Sequence, residues 1–159
     1  MIRISDEVRE AEAVVALETT IVAHGFPPGE GMLVGLECER RVRAAGAVPA
    51  TIGVLDGEIR VGLAESELER FDASARKAGP RELAVCVARS ELGATTVGGT
   101  LAVCRAAGIS FMGTGGIGGV HRGTRFDISA DLLELSRTQV VVVSSGVKSL
   151  LDVEATAEM

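Results

Sequence analysis

Lys148 follows an apolar run, Val140 to Val143, and a turn of small residues, Ser144-Ser145-Gly146-Val147. A lysine whose stem leaves an apolar wall is penalised as an ammonium, so burial raises its fraction of free amine. Such an amine is what a Schiff-base nucleophile needs. The same position also suits a lysine that snorkels at a helix start, with its stem on the core and its head in water. Glu18 ends a second apolar run, Val14-Val15-Ala16-Leu17, and leads into Thr19-Thr20. Burial there would lift its carboxyl toward neutrality, where it can exchange protons. A strand-end carboxylate satisfied by neighbouring hydroxyls or backbone N–H groups reads identically.

Gly113-Thr114-Gly115-Gly116-Ile117-Gly118 fits G-x-G-x-x-G after a strand-like segment. A dinucleotide site needs a helix opening within that motif, whereas Gly119-Val120-His121-Arg122-Gly123 continues as loop, so nicotinamide binding is rejected. A loop that wraps backbone amides around a smaller anion, or a plain tight connection, fits better. Asp127 and Asp131 stand four apart, with Ser129 as a possible helix cap between them. One or two carboxylates suit the sparse coordination of Mg²⁺ or Mn²⁺, and suit an ordinary charged surface equally.

These residues need elements to hold them. The pattern predicts a strand from Val14 to Leu17, an amphipathic helix from Glu30 to Ala45, and a hairpin of 50–55 and 59–63 around Asp56-Gly57-Glu58. It predicts helices over 64–71 and 81–89, with a basic, flexible link at 76–80. From Gly93 the reading is α/β alternation. Gly93 to Thr96 opens a helix to Ala107, Ile109 to Met112 is a strand, a helix covers 131–137, Val140 to Val143 is a strand, and Ser144 to Lys148 begins a last helix. The fold class is therefore α/β, a mixed, largely parallel sheet flanked by helices, in a single domain over 1–159. Polar clusters at strand exits place a site at the carboxyl ends of the sheet.

Composition narrows the function. The chain has 159 residues, 47% of them apolar and only 3% aromatic, with 20 glycines, which suits buried parallel strands joined by tight turns. A net charge of -6 repels a nucleic-acid backbone but leaves room for one small phosphate. Met1 to Ala13 has neither a basic start nor an apolar core, and no stretch reaches membrane-spanning length, which predicts a cytoplasmic protein. Cys38, Cys86 and Cys104 lack metal-ligand spacing and read as free, mostly buried thiols.

Taken in order, Ala16-Leu17-Glu18-Thr19-Thr20-Ile21, His24-Gly25, Gly46-Ala47-Val48-Pro49-Ala50-Thr51-Ile52, Gly93-Ala94-Thr95-Thr96-Val97, Thr114 to Gly123, Phe126 to Leu132 and Lys148-Ser149-Leu150-Leu151-Asp152 form a long, ordered set. It resembles the pseudouridine-5′-phosphate glycosidase family over nearly the whole chain. The resemblance implies an α/β fold, a trimer, Mn²⁺, and interconversion of pseudouridine 5′-phosphate with uracil and ribose 5-phosphate. By position in the matching motifs, Glu18 is the proton donor, Lys148 the nucleophile and Asp127 the metal ligand. Ser129, Ala130 and Asp131 match a substrate-contact stretch, Val97 another contact, and Lys77 a substrate-binding lysine in a less similar setting. Carbon–carbon cleavage needs an electron sink, which an iminium on Lys148 provides while Glu18 moves protons.

The resemblance also implies that family members continue beyond this point, with further sheet, helices and an asparagine-bearing active-site segment. Were this the complete product, an open sheet edge and exposed apolar faces would be expected unless another chain covers them. The alternative to an enzyme is a silent remnant or assembly subunit that binds sugar phosphates.

Overall fold

The computed structural model describes residues 1–123 and 127–159. Among these residues the strands are β1 (Ile2–Ile4), β2 (Val14–Glu18), β3 (Val48–Leu55), β4 (Glu58–Val61), β5 (Arg76–Ala78), β6 (Gly93–Thr95), β7 (Phe111–Gly113) and β8 (Val141–Val143). The helices among them are α1 (Asp6–Glu10), α2 (Thr20–His24), α3 (Glu30–Ala44), α4 (Glu65–Leu68), α5 (Glu82–Arg89), α6 (Val97–Ala107), α7 (Ala130–Leu135) and α8 (Val153–Ala157). The fold is α/β, with a mixed, mostly parallel sheet between helices.

β3 is the longest strand, and every residue from Pro49 to Leu55 is buried. That is why it reads as a continuous apolar run rather than an alternation. Ala50, Ile52 and Val54 join one core cluster with Val61, Leu101, Cys104 and Met112. Gly53, pointing the other way, lies against Phe71 and Leu63 of a second cluster that includes Val22 and Leu68. Successive strand residues face opposite sides, so the two clusters cover the two faces of the sheet. Full burial of a side chain such as Ile52 contributes roughly 1.5–3 kcal/mol.

The strand order is β1-β4-β3-β2-β7-β8, with β6 on β3 and β5 on β6. β2 is parallel to β3 and to β7, and β7 is parallel to β8, so their carboxyl ends share one rim. β6 runs antiparallel to β3 through Gly53↔Ala94, just beyond the Glu18↔Ile52 pair. The exits of β2 and β6 therefore meet at Ile52. The expected hairpin is present as antiparallel β3 and β4, with positive φ at Asp56 and Gly57, the two positions a type I′ turn requires.

Other expectations need correction. The link at 76–80 contains strand β5, parallel to β6. Gly93 to Thr95 is a strand, and the helix opens only after Thr96, whose hydroxyl caps it by accepting from Gly99 N at 3.2 Å. Ser144 to Lys148 is not helical: the Lys148 amide donates to Ile117 O at 3.1 Å, and the next helix is α8, capped by Asp152. β1, α1 and α2 were not anticipated from the sequence. The remaining helices and strands agree within a few residues.

β8 lies at the end of the strand order, and Val141 and Val143 are 55% and 68% exposed, with Phe111 beside them at 52%. Among the described residues no helix is long and apolar enough to cross a membrane.

The three cysteines sit in α3, α5 and α6 and are free. Burial pushes the Cys104 thiol up to about 12, and raises Cys86 and Cys38 as well. Cys86 and Cys104 are both fully inaccessible, whereas Cys38 is half-buried. An aromatic disulfide reagent is expected to titrate Cys38 alone, slowly, in the native protein and all three thiols after unfolding. Rapid reaction of two or more native thiols would contradict this packing.

Candidate active site

The parallel strands β2, β7 and β8 deliver Glu18, the glycine-rich loop after Gly113, and the Ser144–Lys148 turn to one rim. Glu18 is 6% exposed at the last position of β2. Its carboxyl accepts a hydrogen bond from the Thr114 hydroxyl. Burial dominates its electrostatics and pushes its pKa up to about 7, against the opposing influences of the Thr114 hydrogen bond and the Lys148 charge; the charge of Asp131 pushes it further up. Glu18 is thus poised to hold or release a proton near neutrality.

Glu18 and Lys148 stand on this one rim, and the Lys148 charge favours the ionised form of Glu18. The two loops are laced together: Ser145 N donates to Gly115 O at 2.7 Å, Ile117 N to Gly146 O at 2.9 Å, and Lys148 N to Ile117 O. Gly116 lets this happen, since a Cβ there would lie 2.9 Å from Lys148 Cγ. One expectation is overturned. Lys148 is exposed rather than buried, because the valines before it belong to an edge strand whose side chains are themselves open to water.

Behind Glu18 lies a hydroxyl network that sequence reasoning missed. Thr19, Thr95 and Thr100 are fully buried. The carbonyl of Ile52 accepts from Thr19 Oγ1 at 2.8 Å and from Thr95 Oγ1 at 2.6 Å. Thr95 N donates to Thr19 Oγ1 at 2.8 Å, and Thr100 Oγ1 bonds Thr95 Oγ1 at 3.0 Å. Buried polar groups satisfied in this way fix the strand exits in one arrangement.

The glycine loop starts no helix, in agreement with the rejection of a dinucleotide site; the next helix is α7 at Ala130. Its amides serve neighbouring segments. Thr114 N donates to Val143 O at 2.9 Å, and Gly118 N to Asp131 Oδ2 at 2.9 Å. Asp131 is 5% exposed, and its Oδ1 accepts from Gly98 N at 2.7 Å. Ser129 caps α7, accepting from Asp131 N at 3.2 Å, and Ala130, the first residue of that helix, is exposed.

Val97 is buried as the first residue of α6, beside Gly98. Lys77 is exposed on β5, opposite Ala94. The end of that strand is tied to the rim by Thr96 N donating to Ala78 O at 3.1 Å.

Asp127 is exposed, and its Oδ2 lies 2.8 Å from His121 Nδ1. The antiparallel bridge Val120↔Ile128 sets it beside the glycine loop. Among the described residues no three His, Cys, Asp or Glu side chains form a metal cage. A solvent-facing carboxylate oriented by a neighbouring imidazole still fits a hard cation that keeps most of its waters. The motif residue Phe126 lies outside the described residues.

Residues 3–159 match the sequence profile of the family described as Indigoidine synthase A like protein. The chain belongs to that family. Among curated members, the pseudouridine-5′-phosphate glycosidase of Glaesserella parasuis serovar 5 is 48% identical over 163 residues, covering 98% of this chain and 54% of that protein. The enzyme of the same name from Cupriavidus pinatubonensis is 52% identical over 149 residues, covering 91% of this chain and 48% of its own. This family member thus spans about half the length of the curated relatives it matches. Two solved structures share the fold at 42% identity and 99% coverage of this chain. The indigoidine synthase A (IdgA)-like protein of Thermotoga maritima has a TM-score of 0.89 over 53% of its chain. The prealnumycin C-glycosynthase AlnA, in complex with ribulose 5-phosphate, has 0.85 over 54%.

Proposed function

We propose that this chain carries the Schiff-base centre of a pseudouridine-5′-phosphate glycosidase, with Lys148 as nucleophile and Glu18 as the proton-transfer group. The observation that carries this reading is a buried Glu18 whose pKa is pushed up to about 7, standing on the same rim of parallel strands as Lys148, whose charge acts on it. The names of the curated relatives support it. So does a C-glycosynthase of the same fold that holds a phosphorylated pentose.

Nζ of Lys148 bonds to C1′ of pseudouridine 5′-phosphate as the C1′–O4′ bond breaks, and O4′ takes a proton from Glu18. Glu18 recovers a proton from the attacking nitrogen and passes it to C5 of the base. The C1′–C5 bond then breaks: the nitrogen lone pair forms the C1′=N iminium, and the released pair restores the C5=C6 bond of uracil. Water adds to the iminium carbon, and departure of the amine yields ribose 5-phosphate. In this reading Lys77, Val97, Ser129 and Ala130, by their positions in the matching motifs, supply substrate contacts. Asp127 would hold Mn²⁺ through its carboxylate, and the ion would supply positive charge to an oxygen-rich substrate. A cytoplasmic trimer completes the reading.

The exposure of Lys148 favours one second reading, a subunit that binds sugar phosphates without turnover. Borohydride reduction in the presence of ribose 5-phosphate separates them, with peptide mass spectrometry as readout. A stable adduct on Lys148, absent in Lys148→Met, together with uracil release from pseudouridine 5′-phosphate, is the expected result. An adduct without uracil release assigns the second reading; no adduct removes the Schiff-base mechanism.

A further inference from the structure

The carboxylate of Asp131 joins two elements that its own helix does not contain. Oδ1 accepts the N–H of Gly98, an otherwise unpaired donor in the first turn of α6, at 2.7 Å. Oδ2 accepts the N–H of Gly118, in the loop that follows β7, at 2.9 Å. Glycine at both positions is what admits the carboxylate. A Cβ on Gly118 would lie 2.7 Å from Oδ2, and one on Gly98 would lie 3.1 Å from Oδ1. The anion cradle at the start of α6 is therefore filled by the protein's own side chain, and both oxygens are engaged with main-chain donors.

The loop held in this way carries the partners of the chemistry. Thr114, four residues before Gly118, donates to Glu18, and Ile117 O receives the Lys148 amide. We propose that Asp131 is a positioning residue: it fastens the glycine loop to the start of α6 and so sets Thr114 and the Lys148 segment around Glu18, without lending its carboxylate to the substrate. The kinetic part of this inference rests on the glycosidase reading; the structural part does not.

Two measurements on Asp131→Asn test it. Asparagine keeps the shape but turns an N–H₂ toward one of two backbone donors. Amide hydrogen exchange at Gly98 and Gly118 is expected to accelerate tenfold or more, with the amides of β3 unchanged. Borohydride trapping at Lys148 by saturating ribose 5-phosphate is expected to slow at least tenfold, while the half-saturating concentration moves less than threefold. A half-saturating concentration raised tenfold with unchanged trapping at saturation would identify a direct substrate contact and overturn the proposal. Unchanged exchange at both glycines would overturn it as well. If Asp131→Asn fails to fold, Gly98→Ala, which crowds Oδ1 while leaving the carboxylate in place, is expected to give the same pattern at smaller amplitude. A wild-type protein that never forms the adduct would defeat the glycosidase reading, and the exchange measurement would still decide the brace.

Discussion

Replacing Glu18 with glutamine is expected to stabilise the fold above neutral pH while cutting the proposed adduct chemistry at Lys148 by roughly 10²–10⁴-fold, the usual contribution of a positioned proton donor. The two effects have one cause. In the unfolded chain Glu18 titrates near 4.5, and in the folded protein near 7, because burial penalises its charged form. The folded state therefore holds a proton that the unfolded state has already released, and native stability falls as pH rises from about 4.5 to 7. Above that window the ionised carboxylate costs the native state about 3 kcal/mol. Glutamine removes the cost and can still accept the Thr114 hydroxyl, so urea unfolding at pH 8 should show a gain of about 2 kcal/mol. At pH 5 the gain should nearly vanish. Equal stabilisation at both pH values would mean that the carboxyl is not desolvated as described.

Gly99→Ala is expected to destabilise the protein by about 2–4 kcal/mol, although alanine is the better helix former by about 1 kcal/mol. α6 passes so close to the end of β5 that a Cβ on Gly99 would overlap Ala78 O, a backbone atom that cannot rotate away. The carbonyl it would displace is the one that accepts the Thr96 amide. The substitution should therefore also loosen the strand that bears Lys77. Chemical unfolding measures the first effect, and amide exchange at Thr96 the second. A stability equal to or above that of the parent would show that β5 and α6 can part without cost.

What the sequence makes legible is what lies within a few residues along it. Val14 to Leu17 is apolar enough to declare β2, and Asp56-Gly57 declares a hairpin because few residues accept positive φ at consecutive positions. Gly93 to Thr96 announces a helix start, but the three-residue β6 within that stretch is too short to show any alternation and merges into the helix signal. Arg76-Lys77-Ala78 looks like a solvated basic link for the same reason. Glu18 and Lys148 stand out as polar residues closing apolar runs. Thr114 does not, because its significance lies in a carboxylate reached only through the fold. The openness of Lys148 was hidden too: a valine run signals a strand, and nothing in the run says whether that strand is interior or marginal.

The convergence on Ile52 bears on how the protein acquires its geometry. The hydroxyls that meet there come from positions 33 and 43 residues away along the chain, and the Thr114–Glu18 bond spans 96. Contacts of such high order are formed only after long loops have closed, at an entropic expense that local helices never face. The rim that carries Glu18 should consequently mature late in folding and dissolve as a unit, with the Thr95 amide exchanging only through global opening.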